Sequence, residues 1–129
     1  MSTARLDPAL NAAPADPRHI HLIGICGTGM AALAGMLQAR GYTVTGSDEN
    51  VYPPMSDFLA GLAIPVLAGY AAANLAGRPD LVIVGNVVRA ANPEAVELAR
   101  LGLPYLSMPQ ALGHFFLADK TSLVVAGTH

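Results

Sequence analysis

Short apolar stretches alternate with amphipathic ones along this chain from residue 18 onwards. Six stretches have the length and apolar content of buried strands: HIHLIGI, YTVTG, IPVL, DLVIVG, PYLS and SLVVAG. Helical patterns lie between them, in GMAALAGMLQAR, MSDFLAG, AAANLAG, NPEAVELARLG and MPQALGHFFL. Strands that alternate with helices form parallel sheets, because each helix carries the chain back to the start of the next strand. The pattern therefore predicts an α/β fold, a Rossmann-like open parallel sheet with helices on both faces, in a single domain.

Several helix ends carry residues that cap helices. The sequence Asn-Pro-Glu at 92–94 predicts an N-cap, a first-turn proline and an acid that matches the helix dipole, and Gly102 closes that helix. Ser107 with Gln110 three residues later is a capping-box pattern. In the first helix one apolar stripe is predicted, formed by Met30, Leu33, Ala34 and Leu37. These features indicate core positions and caps rather than ligand contacts.

The composition fits one folded domain. The chain has 129 residues, of which 53% are hydrophobic and 12% charged, and such a composition buries enough apolar surface to offset the entropy of ordering the chain. Residues 1–17 are rich in Ala, Pro and Asp without an amphipathic period, so we expect a flexible N-terminal leader there. The folded domain is expected to span residues 18–120.

Charge, hydropathy and cysteine content exclude several classes of partner. The formal net charge is −2, there is no run of Lys or Arg, and aromatic residues make up 5%, which argues against nucleic acid. The apolar stretches are far shorter than the ~20 residues of a membrane span. Cys26 has no partner for a disulfide, and no Cys and His residues have the spacing of metal ligands. We therefore predict a cytoplasmic protein with no metal and no membrane partner.

The turn Gly24–Met30 lies between the first predicted strand and the first helix and is rich in glycine. Glycines let a backbone bend sharply and approach a ligand closely, and the free N–H groups of the following helical turn attract phosphate. The spacing is G-x-x-G-x-G rather than the G-x-G-x-x-G of dinucleotide enzymes, because Cys26 occupies the place of the second glycine. Small and polar residues also follow the other strands, which predicts a binding site for a diphosphate at the carboxyl edge of the sheet.

Other candidate residues have both a functional and a structural interpretation. Asp48 follows the second strand at about the distance at which an acid meets a ribose hydroxyl, and the alternative is a solvated turn residue. Cys26 is a candidate nucleophile without an identifiable base, and the alternative, a thiol packed in a tight turn, is favoured. His19 and His21 alternate on the first strand and are expected on opposite faces. All of the histidines considered, including His114, are interpreted as structural.

The sequence resembles the N-terminal domain of the Mur ligases over about residues 18–129. The resemblance rests on HIHLIGICGTGMAALAGML, VTGSDENVYPPMSDFL, the dipeptide GY, DLVIVGNVVRAANPE, PYLSMPQAL and LVVAGTH. The glycine turn, GSD after the second strand and NPE after the fourth are shared with the L-alanine-adding ligases. GICGT and SDENVYPPMS are more specific, and indicate the subgroup that attaches L-Ala-γ-D-Glu-meso-diaminopimelate to UDP-N-acetylmuramate in peptidoglycan recycling.

The resemblance also implies which residues bind the substrate. It places the diphosphate on backbone N–H groups of residues 27–30, the uridine side near Asp48, and the substrate loop after the fourth strand, where Arg89 adds a charge-assisted bond to phosphate. The segment of residues 50–56 is expected to line the sugar. The full set expected to bind UDP-N-acetylmuramate is Gly24, Cys26, Gly27, Thr28, Gly29, Met30, Asp48, Asn50, Tyr52, Ser56, Gly85, Asn86 and Arg89.

The resemblance further implies an ATP-dependent ligase that forms a carbon–nitrogen bond, with ATP and Mg²⁺ as cofactors of the full-length enzyme and the murein tripeptide as its second substrate. Residues 121–129 would begin the ATP-binding central domain, with Gly127, Thr128 and His129 as an incomplete phosphate loop. In the Mur ligases Gly-Lys-Thr follows AGTH, whereas this sequence stops at His129. We therefore expect no cofactor, no catalytic residue and no ligase activity in this chain alone.

Two other classes of function remain open on the residues alone. The glycine turn and Asp48 also fit a nicotinamide-dinucleotide-binding domain of an oxidoreductase. A regulatory nucleotide-binding module without chemistry is the third interpretation. Both leave the loop spacing and the terminal AGTH unexplained.

Overall fold

A computed structural model describes residues 4–117 of the chain. Its strands are β1 (His19–Ile23), β2 (Thr43–Asp48), β3 (Val66–Ala68), β4 (Leu81–Val84) and β5 (Tyr105–Ser107). Its α-helices are α1 (Thr28–Ala39), α2 (Met55–Gly61), α3 (Pro93–Leu101) and α4 (Met108–Leu112). Shorter pieces are the 3₁₀ helices Pro8–Leu10 and Ala72–Leu75 and the π-helical turn Gly113–Leu117 that follows α4. The alternation predicted from the sequence is confirmed across this range.

The five strands form one all-parallel sheet in the order β3-β2-β1-β4-β5. Ile20 on β1 lies opposite Val44 of β2 and Leu81 of β4, so β1 occupies the centre. The chain moves outward from β1 to β3 on one side and then returns to β4 on the other. The switch point of the topology therefore lies between β1 and β4, where open parallel sheets bind ligands. The predicted Rossmann-like fold class is confirmed.

Helices cover both faces of the sheet. Ile20 and Leu22 of β1 face a cluster that includes residues of α1, α2 and α4. Ile23, on the opposite face, packs with Leu98 of α3 and with Leu75 of the second 3₁₀ helix. Because both faces are covered, β4 is apolar throughout and β1 is apolar apart from His19 and His21.

The predicted caps are present. The Asn92 side chain accepts hydrogen bonds from the backbone N–H groups of Glu94 (2.8 Å) and Ala95 (3.2 Å), and Gly102 ends α3 in the left-handed conformation. Ser107 and Gln110 form a capping box at the start of α4. The predicted stripe on α1 is also confirmed, because each of its members is buried: Met30, Leu33, Ala34 and Leu37.

Two segments differ in form from their sequence patterns. AAANLAG contains a 3₁₀ helix, Ala72–Leu75, rather than an α-helix. Gly77 and Pro79 follow directly, so an α-helix has no room to continue, and Leu75 alone anchors the segment in the core. The stretch SLVVAG lies outside the described residues.

Residues 4–17 contact the end of the sheet. Asn11 Nδ2 donates to the backbone oxygen of Tyr105 (3.0 Å), and the side chains of Asn11 and Gln110 exchange two hydrogen bonds of 2.9 and 2.8 Å. The Tyr105 hydroxyl donates to the backbone oxygen of Asp7 (3.2 Å). The partners are more than ninety residues apart, so no local pattern in residues 1–17 predicts them. The flexibility expected of this leader stays a prediction.

Candidate functional site

Two adjoining clefts open at the carboxyl edge of the sheet, beside the switch point. The first has a volume of about 220 Å³ and is lined by Cys26, Gly27, Asp48, Asn50, Tyr52, Pro53, Pro54, Met55 and Val87. The second has a volume of about 180 Å³ and is lined by Gly24, Gly27, Gly29, Met30, Gly85, Asn86, Val87 and Met108. Gly27 and Val87 contribute to both. Together the clefts form a two-part groove over the ends of β1, β2 and β4, and we call it the edge groove.

The glycine turn is fixed to the end of β2. The backbone oxygen of Ser47 accepts hydrogen bonds from the N–H groups of Gly24 (2.8 Å) and Ile25 (3.0 Å). Gly24 has a φ of 86°, a left-handed conformation in which a side chain is strained. The first glycine of the turn is therefore required by backbone geometry, as the sequence pattern indicates.

The N-terminus of α1 faces the edge groove. Its N-cap, Gly27, has no side chain to cap the helix, and the Gly27 N–H itself donates to the backbone oxygen of Gly24 (3.2 Å). Within residues 4–117, no group accepts a hydrogen bond from the N–H of Thr28, Gly29 or Met30. Three free donors at the positive end of a helix dipole attract an anion. Of the four donors predicted from residues 27–30, Gly27 is engaged within the turn in this structure. Binding of a diphosphate by these N–H groups stays a prediction.

Asp48 is almost completely buried and holds the loops that form the first cleft. Its Oδ2 accepts from the backbone N–H of Cys26 (3.0 Å), and its Oδ1 accepts from the N–H of Asn50 (2.8 Å). Only 5% of its surface is exposed, so it is not the solvated turn residue of the alternative interpretation. A contact between Asp48 and the uridine side of a ligand stays a prediction.

The residue that follows β4 packs closely against the end of β1, next to the glycine turn. The Gly85 N–H donates to the backbone oxygen of Ile23 (2.9 Å), and a Cβ on Gly85 would lie 3.1 Å from that oxygen. A side chain at position 85 would therefore require the two backbones to move apart by a few tenths of an ångström. Asn86 follows and lines the second cleft.

Three predicted residues are absent from the lining of the edge groove. Thr28, the first residue of α1, lines a separate depression beside α2. Ser56, on α2, is among the lining residues of neither cleft. Arg89 is exposed and lines a separate depression with Leu6 and Val88. Their contacts with a substrate stay predictions.

Sequence reasoning missed several lining residues. The Val87 side chain is 75% exposed although it is apolar, and its position directly after β4 is the signal that was available. A Cβ on Gly29 would lie 2.8 Å from the Met108 sulfur, so Met108 covers one side of the α1 N-terminus. That contact depends on how α1 and α4 pack together, and no local pattern reveals it. The lining residues absent from the prediction are Pro53, Pro54, Met55, Val87 and Met108.

Two side chains at the glycine turn have raised pKa values. Burial raises the pKa of the Cys26 thiol, and the nearby Asp48 carboxylate raises it further, which disfavours the nucleophile interpretation. Burial also raises the pKa of Tyr70 to about 12, together with the charges of neighbouring acids. The Tyr70 hydroxyl lies 3.8 Å from where a Cβ would stand on Gly24. Because its pKa is raised, this hydroxyl is protonated and lies at the base of the turn as a hydrogen-bond donor.

The expectation that His19 and His21 point to opposite faces was wrong. Residues two apart on a strand share a face, and both rings bond to Thr45 Oγ1, at 2.7 Å from His19 Nε2 and 2.8 Å from His21 Nδ1. Burial lowers the pKa of His19, and the neighbouring His21 lowers it further. His114 packs edge-on against Phe115, with ring centroids 4.7 Å apart.

Metal-binding groups and membrane-spanning helices were sought over residues 4–117. In that range, no three His, Cys, Asp or Glu residues are grouped so that they could hold a metal ion. No helix of the same part of the chain combines the length and apolar character needed to cross a bilayer. The predicted ATP-site residues Gly127, Thr128 and His129 lie outside the described residues.

The fold and the edge groove define a Rossmann-like binding domain whose open helix N-terminus lies at the switch point of a parallel sheet. Comparison with known proteins then identifies the family. Residues 19–120 match the family model described as "Mur ligase family, catalytic domain". The chain belongs to the Mur ligase family, and the resemblance seen in the sequence is confirmed.

Similar proteins of known name are ligases of this family. The UDP-N-acetylmuramate–L-alanyl-γ-D-glutamyl-meso-2,6-diaminoheptandioate ligase of Escherichia coli is 48% identical over 85% of this chain and 24% of its own length. The protein of the same name from Haemophilus influenzae is 46% identical over 87% of this chain and 25% of its own length. The chain therefore spans about a quarter of the length of these relatives.

The solved structures to which this chain is similar are also ligases. A murein peptide ligase from Psychrobacter arcticus superposes with a TM-score of 0.75 at 44% identity, over 78% of this chain and 21% of that one. A UDP-N-acetylmuramate–alanine ligase from Thermotoga maritima superposes with a TM-score of 0.69 at 31% identity, over 83% of this chain and 23% of that one. The comparisons give no support to the oxidoreductase alternative.

Proposed function

We propose that this chain is the substrate-binding domain of a Mur ligase and that it binds UDP-N-acetylmuramate in the edge groove. One observation carries the proposal: in a chain of this family, the N-terminus of α1 is open and faces the groove at the switch point of the sheet. A diphosphate bears the negative charge and the acceptor oxygens that such a helix end attracts.

The two parts of the groove suggest how the ligand lies. The N–H groups of Thr28, Gly29 and Met30 hold the diphosphate, because they are the free donors of the first helical turn. The uridine side lies toward Asp48 in the first cleft. The segment that follows β2 lines the sugar with Asn50, Tyr52 and Ser56. The loop that follows β4 contributes Gly85, Asn86 and Arg89, and Arg89 adds a charge-assisted bond to phosphate.

The complete protein, in this proposal, is an ATP-dependent ligase of peptidoglycan recycling in the cytoplasm. It joins the amino group of L-Ala-γ-D-Glu-meso-diaminopimelate to the lactyl carboxylate of UDP-N-acetylmuramate, with ATP and Mg²⁺ bound from residues 121–129 onwards. The high identity to two ligases named for that tripeptide supports the choice of peptide. Formation of ADP that requires both substrates, measured on the longest protein that the gene encodes, tests the ligase step.

Binding is tested by thermal and calorimetric titration of the 129-residue chain with UDP-N-acetylmuramate, UDP, NAD and NADP. We expect the two uridine ligands to bind, and at about 100 times its dissociation constant each should stabilise the fold by about 2.7 kcal/mol. NAD and NADP serve as diphosphate-bearing controls without uridine or muramate. Stabilisation by NAD with none by the uridine ligands would contradict the proposal.

A further inference from the structure

Glu94 is a carboxylate buried beneath the edge groove, on the first turn of α3. Its side chain is fully buried and accepts four hydrogen bonds. Oε2 accepts from His21 Nε2 and from the Ser47 hydroxyl, each at 2.7 Å. Oε1 accepts from Asn74 Nδ2 at 2.6 Å and from the backbone N–H of Ala71 at 3.3 Å. A buried charge of this kind is maintained only when its partners satisfy it, and here every lone-pair direction has a donor.

The carboxylate is ionised at neutral pH. Burial by itself raises the pKa of Glu94, but the hydrogen bonds from His21, Ser47 and Asn74 outweigh burial and bring that pKa below its usual value. Tyr70 is the further ionisable group close to it, and the hydroxyl of Tyr70 remains protonated. The negative charge of Glu94 therefore stands opposite four donors from three separate segments of the chain.

One side of Glu94 holds the strand end to which the glycine turn is attached. The Ser47 hydroxyl donates to Glu94, while the Ser47 backbone oxygen accepts from the N–H groups of Gly24 and Ile25. Ser47 is thus fixed by its side chain from below and carries the glycine turn above. A displacement of the Ser47 backbone would move the one oxygen that accepts both hydrogen bonds of the turn.

The other side of Glu94 holds the turn that follows β3. Asn74 Nδ2 donates to Glu94 and also to the backbone oxygen of Gly69 (3.0 Å), and the Gly69 N–H donates to the backbone oxygen of Asp48 (2.8 Å). This turn carries Tyr70, whose hydroxyl lies beside Gly24. The glycine turn is therefore supported from two directions by segments that meet at one carboxylate.

We propose that Glu94 is a positioning residue for the edge groove: it touches no ligand, but it fixes Ser47 and the 69–74 turn and so sets the position of the glycine turn that binds the diphosphate. The inference rests on the proposed function for its ligand, while its structural part can be measured without any ligand. Nothing in the local sequence marks this role, because an acid in the first turn of a helix has a sufficient explanation in the helix dipole.

The negative charge of Glu94 contributes to the support of the glycine turn, as does the shape of its side chain. Glutamine at position 94 has nearly the same volume, but it offers one acceptor oxygen and one NH₂ group. With the oxygen toward Asn74 and Ala71, the NH₂ group would face His21 and the Ser47 hydroxyl, which are the donors of the native arrangement. The Ser47 hydroxyl must then accept instead of donate, and His21 must present its other tautomer. Glu94→Gln therefore replaces two charge-assisted hydrogen bonds by weaker neutral ones, and it weakens the support of the glycine turn without removing volume from the core.

Hydrogen exchange measured by NMR on the ligand-free chain tests the structural part. In Glu94→Gln we expect the N–H groups of Gly24 and Ile25 to exchange about tenfold faster, the equivalent of one weakened hydrogen bond. The N–H of Leu22 in the middle of β1 should be accelerated less, because it exchanges through unfolding of the whole domain. A role confined to general stability would accelerate all three alike, which would overturn the proposal. So would unchanged exchange at Gly24 and Ile25.

Calorimetric titration with UDP-N-acetylmuramate tests the functional part. We expect Glu94→Gln to weaken binding about tenfold at a temperature at which the chain is fully folded. Glu97→Gln is the matched control, because Glu97 lies on the same helix and bonds at the surface to Arg100, and it should bind as the wild type does. Wild-type affinity in Glu94→Gln would overturn the proposal.

The two possible failures remain distinguishable. If the wild-type chain binds no uridine ligand, the proposed function is refuted, while hydrogen exchange at Gly24 and Ile25 still decides whether Glu94 positions the turn. If Glu94→Gln does not fold, Asn74→Ala takes its place. It removes the half-buried amide that joins Glu94 to Gly69 and leaves the carboxylate in place. Weaker binding together with faster exchange at Gly24 supports the proposal, and wild-type values of both overturn it.

Discussion

The N-termini of α1 and α3 point to the same edge of the sheet, yet they are built in opposite ways. α3 begins at Asn92, whose side chain accepts from two backbone N–H groups, and continues with a proline that has no N–H to satisfy and with the acid Glu94. α1 begins at Gly27, which has no side chain to cap the helix, and no acid lies in its first turn. One helix end is closed by its own residues, and the other leaves its donors free.

The difference shows how this domain separates structure from binding. Both helices follow strands at the centre of the sheet, β1 and β4, so position alone does not distinguish them. The closed end of α3 is tied into the buried cluster around Glu94, where free N–H groups would be costly. The open end of α1 faces the edge groove, where water or a ligand can satisfy its donors.

The largest effect is expected when α1 receives the kind of cap that α3 has. A Cβ on Gly27 would meet no atom closer than 3.5 Å, and the backbone there is already extended as at Asn92, so Gly27→Asn fits the fold. Its side-chain oxygen would accept from the N–H groups to which we assign the diphosphate in the proposed function. We expect binding of UDP-N-acetylmuramate to weaken about 100-fold, or about 2.7 kcal/mol, in calorimetric titrations.

The free energy of unfolding should change little in Gly27→Asn, by about 1 kcal/mol or less, because asparagine and glycine are both good N-caps. Gly27→Ala is the control, since it adds a methyl group without a hydrogen-bond acceptor and should weaken binding less. Equal affinity in wild type and Gly27→Asn would show that the α1 N-terminus is not the diphosphate site.

A smaller effect is expected when the cap of α3 is removed. Asn92→Ala leaves the N–H groups of Glu94 and Ala95 without their acceptor, so the free energy of unfolding should fall by about 1–2 kcal/mol in urea titrations. Asn92→Asp keeps an acceptor at the same place and should retain most of the stability. A fully stable Asn92→Ala would mean that α3 is not held by its cap.

The smallest effect is the pH dependence of stability, and it concerns Glu94 at the closed N-terminus of α3. The pKa of Glu94 in the folded chain is below its usual value of 4.5, so its contribution to stability is present above that value and is lost as the pH falls through the folded pKa. We expect the urea midpoint to fall less steeply between neutral and acid pH in Glu94→Gln than in the wild type. Parallel pH profiles of the two proteins would contradict this assignment.

The fold and part of the edge groove were predictable from the sequence. The apolar periodicity located the helices and strands because both faces of the sheet are buried, and the caps at Asn92 and Ser107 were readable because a cap involves residues only two or three positions apart. The glycine turn was readable for the same reason. The lining contributed by Met108 and the support given by Glu94 were not, because each depends on partners that are distant in sequence.

The sequence by itself determined the order of strands and helices, the caps and the place of the glycine turn, since these follow from local spacing and backbone sterics. Only the tertiary structure decided that Asp48 turns its carboxylate toward Cys26 and Asn50, that His19 and His21 share Thr45, and that one buried acid gathers three segments under the glycine turn. The physical reason is that hydrogen-bond partners in a buried cluster are selected by where the packed strands bring them, and a chain read in one dimension does not contain those distances.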